Sequence, residues 1–333
     1  MRWGLIGAST IAAEHMIDAL RAAGQEVASL YSGAPARARD YARAHAIPAV
    51  HDTLQDMLAD PGLGAVYISS TNEKHRAQAL AAITAGKHVL CEKPLAMRVA
   101  EAAEMVRAAE AAGVVFATNH HLRCSGSHRA IRDLVAGGRI GRVLSLRLFH
   151  AVHLPPHLQG WRIDNPEAGG GVIPDITVHD ADVARFLLGE DPVTVVAQMA
   201  ASGMGQGVED SAMSVWTMPS GAMVMAHQSF THPFAGSGLE VHGDKGSIFA
   251  RGVMTQRPVG EVELLTAQGR EAVSFPPHNL YVQAITDFLA AVAGRGQPAA
   301  TGWDGVASLA VALAVREAAR TGARQTVDYR RSA

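Results

Sequence analysis

The sequence predicts an α/β protein in two parts, a doubly wound parallel sheet at the N-terminal end and then an open, mainly antiparallel sheet. Up to about residue 120, short runs rich in Val, Ile and Leu alternate with Ala-rich segments of helical period. After about residue 140, longer strand-like runs follow one another across glycine turns with few helices between them. A chain of 333 residues with 48% apolar content can fill a core in each of two domains.

The first apolar runs, at 2–8, 26–32, 65–70, 88–91 and 114–118, have strand length. Between them, 11–23, 36–45, 74–85 and 100–112 carry apolar residues at three- and four-residue spacing and mostly end at glycine, the pattern of helices. Strand, helix and strand in repetition make a parallel sheet. Its strands are covered on both faces and so read as nearly unbroken apolar runs, as Ala65-Val66-Tyr67-Ile68 does. In the second part, strands are expected at 142–152, 193–200, 211–218, 222–230, 239–242 and 262–266. Pro219-Ser220-Gly221 and Gly243-Asp244-Lys245-Gly246 read as hairpin turns. Helices are expected at 175–188, 280–293 and 305–321.

Composition removes several classes. Lys and Arg total 29 against 31 Asp and Glu, a net charge of −2, which argues against a basic nucleic-acid surface. Cys91 and Cys124 form no CxxC pair, against a disulfide framework or a cysteine metal knuckle, and a reducing, cytoplasmic setting is the expectation. No apolar run approaches the ~20 residues of a membrane span. The first residues enter a glycine turn too soon for a signal peptide.

The first strand leads into Gly7-Ala8-Ser9-Thr10-Ile11-Ala12, which fits a dinucleotide turn if Gly7, Ser9 and Ala12 fill the three glycine positions. Ser9 replaces the glycine that lets backbone approach a pyrophosphate. It must stand the loop off or use its hydroxyl and the helix amides as donors. Taken alone, the pattern fits equally a glycine turn in any doubly wound protein. The second strand ends at Leu30-Tyr31-Ser32-Gly33 without the carboxylate that would face the ribose hydroxyls of NAD. Arg37 and Arg39 follow instead. A guanidinium there can pair with a 2′-phosphate through two charge-assisted bonds, which favours NADP(H). We take Arg37 as the ligand and Arg39 as solvated helix surface.

Ligands of open parallel sheets lie beyond the carboxyl ends of the strands, which marks Ser70-Thr71-Asn72-Glu73-Lys74-His75 and Glu92-Lys93-Pro94. Lys93 directly follows a strand and is stiffened by Pro94, a setting that a lysine on a helix surface lacks. Further on, Asp175 and His179 are spaced i, i+4 at the start of the 175–188 helix and share a face, behind the flexible Gly169-Gly170-Gly171. The carboxylate favours a protonated imidazole and the helix N-terminus opposes it. A metal site of Asp175, His179 and Asp182 is the rival reading; no HExxH or Cys/His cluster supports it. His120, His121, His150, His153 and His157 are read as substrate hydroxyl contacts or plain surface positions.

With Gly7 to Ala12, Cys91-Glu92-Lys93-Pro94-Leu95 and Asp175-Ile176-Thr177-Val178-His179-Asp180 in hand, the sequence resembles the Gfo/Idh/MocA oxidoreductase family over almost its full length. The runs 118–123, 149–162 and 167–173 strengthen the likeness. The resemblance implies a Rossmann-like dinucleotide-binding domain over 1–120 and a substrate-binding α/β domain over 121–333. It implies hydride transfer between NADP(H) and a sugar-like carbon, here a ketone of an anhydrosugar. The EKP lysine maps onto Lys93, and the D-x-x-x-H aspartate and histidine map onto Asp175 and His179. Cofactor contacts in similar proteins map onto Ser9, Thr10, Ile11, Ser32, Arg37, Ser70, Thr71, Asn72, His75, Glu92, Asn119, Trp161, Arg162 and Tyr281. Ser9 and Ala12 depart from the glycine motif. The expected partners are a small sugar and, as in many relatives, a second copy of the chain paired through the C-terminal sheet. A dehydrogenase of another sugar or polyol, and a non-catalytic dinucleotide-binding regulator, are the alternatives.

Overall fold

A computed structural model describes residues 1–329. The chain divides into two compact units, Met1–His120 with Tyr281–Val306, and His121–Leu280 with Ala307–Tyr329.

The first unit holds six parallel strands: β1 (Arg2–Ile6), β2 (Glu26–Tyr31), β3 (Ala49–His51), β4 (Leu63–Ile68), β5 (His88–Cys91) and β6 (Phe116–Thr118), in the order β3-β2-β1-β4-β5-β6. Trp3, Leu5, Ile6 and the 65–68 run of β4 are fully buried, which is why these segments read as unbroken apolar sequence. The order reverses between β1 and β4, the place where ligands of open parallel sheets generally bind. The covering helices are α1 (Ile17–Ala22), α2 (Pro35–Ala44), α3 (Leu54–Leu58), α4 (His75–Thr84) and α5 (Val99–Ala112), the last stopped by Gly113 at φ 67°. The helix expected at 11–23 is a π-helical turn, Ala12–Met16, running into α1. β3 is three half-exposed residues at a sheet edge and α3 is five residues long, too short for either to show a period in the sequence.

The second unit holds β7 (Val143–Ala151), β8 (Thr194–Ala200), β9 (Ser211–Thr217), β10 (Met223–Ser229), β11 (Ser237–Gly243), β12 (Gly246–Arg251), β13 (Glu261–Thr266), β14 (Gly269–Ala272) and β15 (Gln325–Thr326). They form one sheet in the order β14-β13-β12-β11-β7-β10-β9-β8-β15. β7 and β10 run parallel and every other neighbouring pair is antiparallel. One face buries Leu146, Leu148, Trp216, Val224, Leu239 and Val241. The other alternates outward with Met213, Val215, Met223 and Met225. The helices are α6 (Gly126–Ala136), α7 (Trp161–Asp164) and α8 (Val178–Leu188), which lies against β7. A π-helical turn, Ile173–Thr177, leads into α8, so the helix expected from residue 175 begins earlier and wider. α6 is absent from the sequence reading; its buried first turn, Gly126-Ser127-His128, carries no apolar side chain, and the apolar spacing begins only at Ile131.

The chain closes with α9 (Leu280–Val292) and α10 (Gly302–Thr321). The sequence reading gives all of 121–333 to the second domain, whereas Tyr281–Val306 belongs with the first unit. The cause is packing. Phe288 lies with its ring centroid 5.1 Å from that of Trp3 in β1, Tyr281 stacks on His15 at 4.8 Å, and the Thr118 hydroxyl donates to Thr301 O at 3.1 Å. Among the described residues no helix is long and apolar enough to cross a membrane.

Candidate active site

The turn after β1 is built on a glycine that no other residue replaces. Gly7 sits at φ 109°, and a Cβ there would lie 2.9 Å from Ser70 N. Its own N–H donates to Tyr31 O at 2.8 Å, tying the turn to the end of β2. The Ser9 hydroxyl accepts from Ala12 N at 3.2 Å and meets the Ser69 hydroxyl at 2.7 Å, so it closes the turn from within. Ala12 is fully buried, while Thr10 and Ile11 are half-buried. From α2, the Arg37 guanidinium donates to Ala8 O at 3.0 Å and the Tyr41 hydroxyl to Ser9 O at 2.9 Å. Burial pushes the Tyr41 hydroxyl well above its usual range, against the pull of Arg37, so it remains a neutral donor. Ser32 is half-buried, Arg39 is exposed, and no acidic side chain stands between Tyr31 and Arg39. Close backbone approach, a cation beside the turn and the missing carboxylate together fit a dinucleotide.

The loops after β4 and β5 carry the second group. His75 is fully buried, with Nδ1 2.8 Å from Pro94 O and Nε2 3.1 Å from Ser70 O. The Ser70 hydroxyl donates to Gln78 Oε1 at 2.6 Å and the Thr71 hydroxyl to Glu73 Oε1 at 2.7 Å, while Asn72 is buried. Glu92 is a buried carboxylate whose Oε1 accepts from the Tyr67 hydroxyl at 2.5 Å and from Asn119 Nδ2 at 2.6 Å. Burial, and then the neighbouring Glu92 carboxylate, hold the Tyr67 hydroxyl well above its ordinary value, which keeps it a donor. Asn119 N–H donates to Cys91 O at 2.8 Å. Lys93 therefore stands between two residues, Glu92 and Pro94, that buried side chains fix in place; the Lys93–Pro94 peptide is cis.

In the second unit, Asp175 lies in the π-helical turn, and one of its carboxylate oxygens is 3.6 Å from Arg162 Nε. The Arg162 guanidinium also stacks over the Trp161 ring, 4.8 Å from its centroid. His179, 8% exposed, is in the first turn of α8. Its ring lies edge-on to His121 at 4.9 Å and 6.4 Å from His150. His150 Nδ1 is 2.9 Å from Asp180 Oδ1, and Gln228 donates to Asp180 Oδ2 at 2.6 Å. Arg123 grips Asp182 through two bonds of 2.8 Å, which engages that carboxylate in an ion pair. Burial, and then His150, lower the His128 ring to about 4. Among the described residues no group of three or more His, Cys, Asp or Glu is arranged to hold a metal ion.

The structure thus gathers Gly7, Ser9 and Arg37 at one turn, and Ser70, His75, Glu92, Lys93 and Asn119 at another. In the other unit it pairs Trp161, Arg162 and Asp175, and sets His179 among histidines. Tyr281 is fully buried against His15. Tyr67, Asp180 and Gln228 are given no site role in the sequence reading. Tyr67 sits inside an apolar run, where a buried hydroxyl needs a partner, and that need was the available signal.

Residues 1–120 match a family model described as "Oxidoreductase family, NAD-binding Rossmann fold", and residues 128–249 match "GFO/IDH/MocA C-terminal domain". The chain is 55% identical, over 98% of its own length and 98% of the relative's, to 1,5-anhydro-D-fructose reductase of Ensifer adhaerens. It is 30% identical to D-xylose 1-dehydrogenase (NADP(+)) 2 of Haloferax volcanii, over 98% of this chain and all (100%) of that one. Among solved structures, the aldose-aldose oxidoreductase of Caulobacter crescentus superposes with a TM-score of 0.89 at 25% identity, covering 98% and 99% of the two chains.

Proposed function

Because the chain belongs to the Gfo/Idh/MocA oxidoreductase family, we propose that it is an NADPH-dependent reductase of a ketone on an anhydrosugar. The reaction is of the type that turns 1,5-anhydro-D-fructose into 1,5-anhydro-D-mannitol. The observation that carries the reading is the setting of Lys93, a cation at the end of a parallel strand between two immobilised residues. The substrate class rests on the relative at 55% identity.

When bound, the nicotinamide supplies the hydride. Gly7, Ser9, Thr10, Ile11 and Ala12 shape the turn that receives the dinucleotide. Ser32 and Arg37 are assigned to the adenosine ribose and its 2′-phosphate, and Ser70, Thr71, Asn72, Glu92 and Asn119 to the nicotinamide end. Lys93 Nζ polarises the carbonyl and holds the charge that develops on its oxygen. His179 delivers a proton to that oxygen as general acid. Asp175, 3.6 Å from Arg162, orients substrate hydroxyls or the His179 imidazole, and Trp161 and Arg162 are assigned to the cofactor. No metal is assigned a role. A reducing, cytoplasmic setting suits Cys91 and Cys124, which are both buried and form no disulfide.

The direct test is His179→Ala. The reading expects kcat to fall ~10²- to 10⁴-fold with NADPH affinity near normal. An unchanged kcat removes His179 from the acid role.

A further inference from the structure

We propose that His75 is a positioning residue which sets Lys93 by donating its Nδ1–H to Pro94 O. The inference rests on the catalytic role assigned to Lys93. The ring is fully buried at the start of α4, away from solvent. Both of its nitrogens face backbone carbonyls, Pro94 O at 2.8 Å and Ser70 O at 3.1 Å. A neutral imidazole carries one N–H and one lone pair, so it can donate to only one of them. Burial lowers the ring's proton affinity more than the two carbonyls and the nearby Glu92 and Glu73 carboxylates raise it, so the ring is neutral near pH 7. The single proton belongs to the shorter contact, which makes His75 the Nδ1–H tautomer and leaves Ser70 O as a close neighbour.

The consequence for Lys93 is geometric. Its backbone is held on one side through Glu92, which Tyr67 and Asn119 grip, and on the other through Pro94. Without the bond from His75, Pro94 O is left without this donor and the segment that carries the ammonium is free to shift. A shift of about 1 Å in a group that must meet a reacting oxygen costs up to ~10²-fold in rate.

Two substitutions separate this from simple filling of space. An Asn side chain places its amide nitrogen on the same carbon that bears Nδ1 of histidine, whereas Gln carries it one carbon further out, near the position of Nε2. His75→Asn keeps a donor for Pro94 O, and His75→Gln does not, although Gln fills more of the volume. Steady-state kinetics with NADPH and 1,5-anhydro-D-fructose should show kcat within about threefold of wild type for His75→Asn. For His75→Gln, kcat should fall about tenfold or more, with a smaller change in KM for NADPH. The opposite order, equal losses in both variants, or no loss in either would overturn the proposal.

The tautomer gives a second reading that needs no folded variant. In ¹⁵N-histidine-labelled wild-type protein, long-range ¹H–¹⁵N correlation should show a buried ring protonated at Nδ1 at pH 7; protonation at Nε2 would overturn the proposal. Lys93→Met, assayed in parallel, distinguishes the two claims. Full kcat in that variant would refute the role of the lysine, and the tautomer would still report on the His75–Pro94 bond.

Discussion

Arg37 reaches Ala8 O from the neighbouring helix, so its charge is already anchored beside the β1 turn. That makes the cofactor test at this residue selective. Arg37→Ala should raise KM for NADPH by tenfold or more and leave KM for NADH nearly unchanged, since one charge-assisted pair contributes about 1.5–3 kcal/mol. Equal losses for both cofactors would discredit the 2′-phosphate assignment. The position of Lys93, just past a strand end and before proline, was legible in the sequence because the apolar run 88–91 and Pro94 frame it. Ser9 was half legible. Its hydroxyl was expected to donate to a bound phosphate, whereas in the turn it accepts from Ala12 N and meets the Ser69 hydroxyl. The roles of Tyr67 and His75 were not legible in the same way, because hydrogen-bond partners 25 and 19 positions away leave no trace in a linear pattern.

At the scale of elements, five of the six strands of the first sheet and two hairpin turns of the second were readable because period and glycine punctuation are local signals. The π-helical turns were not, since the one-residue shift they add to the apolar spacing is confined to a single five-residue turn. The segment before α8 shows what positions Asp175. Gly171 sits at φ 113°, and a Cβ there would come within 2.5 Å of Glu209 Oε1, while Glu209 also bonds Ile173 N at 3.2 Å and Arg316 at 3.3 Å. Gly171→Ala should therefore destabilise the protein by about 2 kcal/mol and lower the melting temperature; an unchanged melting curve would show that the loop yields freely.

Asp210 anchors the loop that follows β8. Burial alone would raise its carboxyl, but the N–H groups of Gly205, Ser202 and Met204 and the Ser202 hydroxyl outweigh it and bring the value to about 2. A carboxyl lower in the folded state than its ordinary 3.8 stabilises the fold above about pH 4, and that contribution disappears as pH falls toward 2. The melting temperature should drop across that window in wild type. Asp210→Asn should cost about 2 kcal/mol at pH 7 and flatten the drop, and an equally steep drop in the variant would assign the acid sensitivity elsewhere.

For the whole molecule, the two-part architecture was readable from the change of grammar near residue 140, but the return of Tyr281–Val306 to the first unit was not, since it depends on aromatic packing against β1. The outer face of the second sheet carries a registered row, Met225 beside Val215 beside Val196, flanked by Met213 and Met223, each at least 40% exposed. A patch of that kind suits a second copy of the same surface. Light scattering should give about twice the 35.0 kDa chain mass, and Val215→Asp should return it to one. A monomeric wild type would reject the pairing.

The central claim is chemical, and NADPH oxidation followed at 340 nm with 1,5-anhydro-D-fructose tests it most directly. The account predicts turnover that requires the sugar, yields an anhydrohexitol, prefers NADPH to NADH and collapses in Lys93→Met and His179→Ala. NADPH binding with no oxidation across a wide panel of carbonyl sugars would contradict it and leave a dinucleotide-binding protein without the reaction.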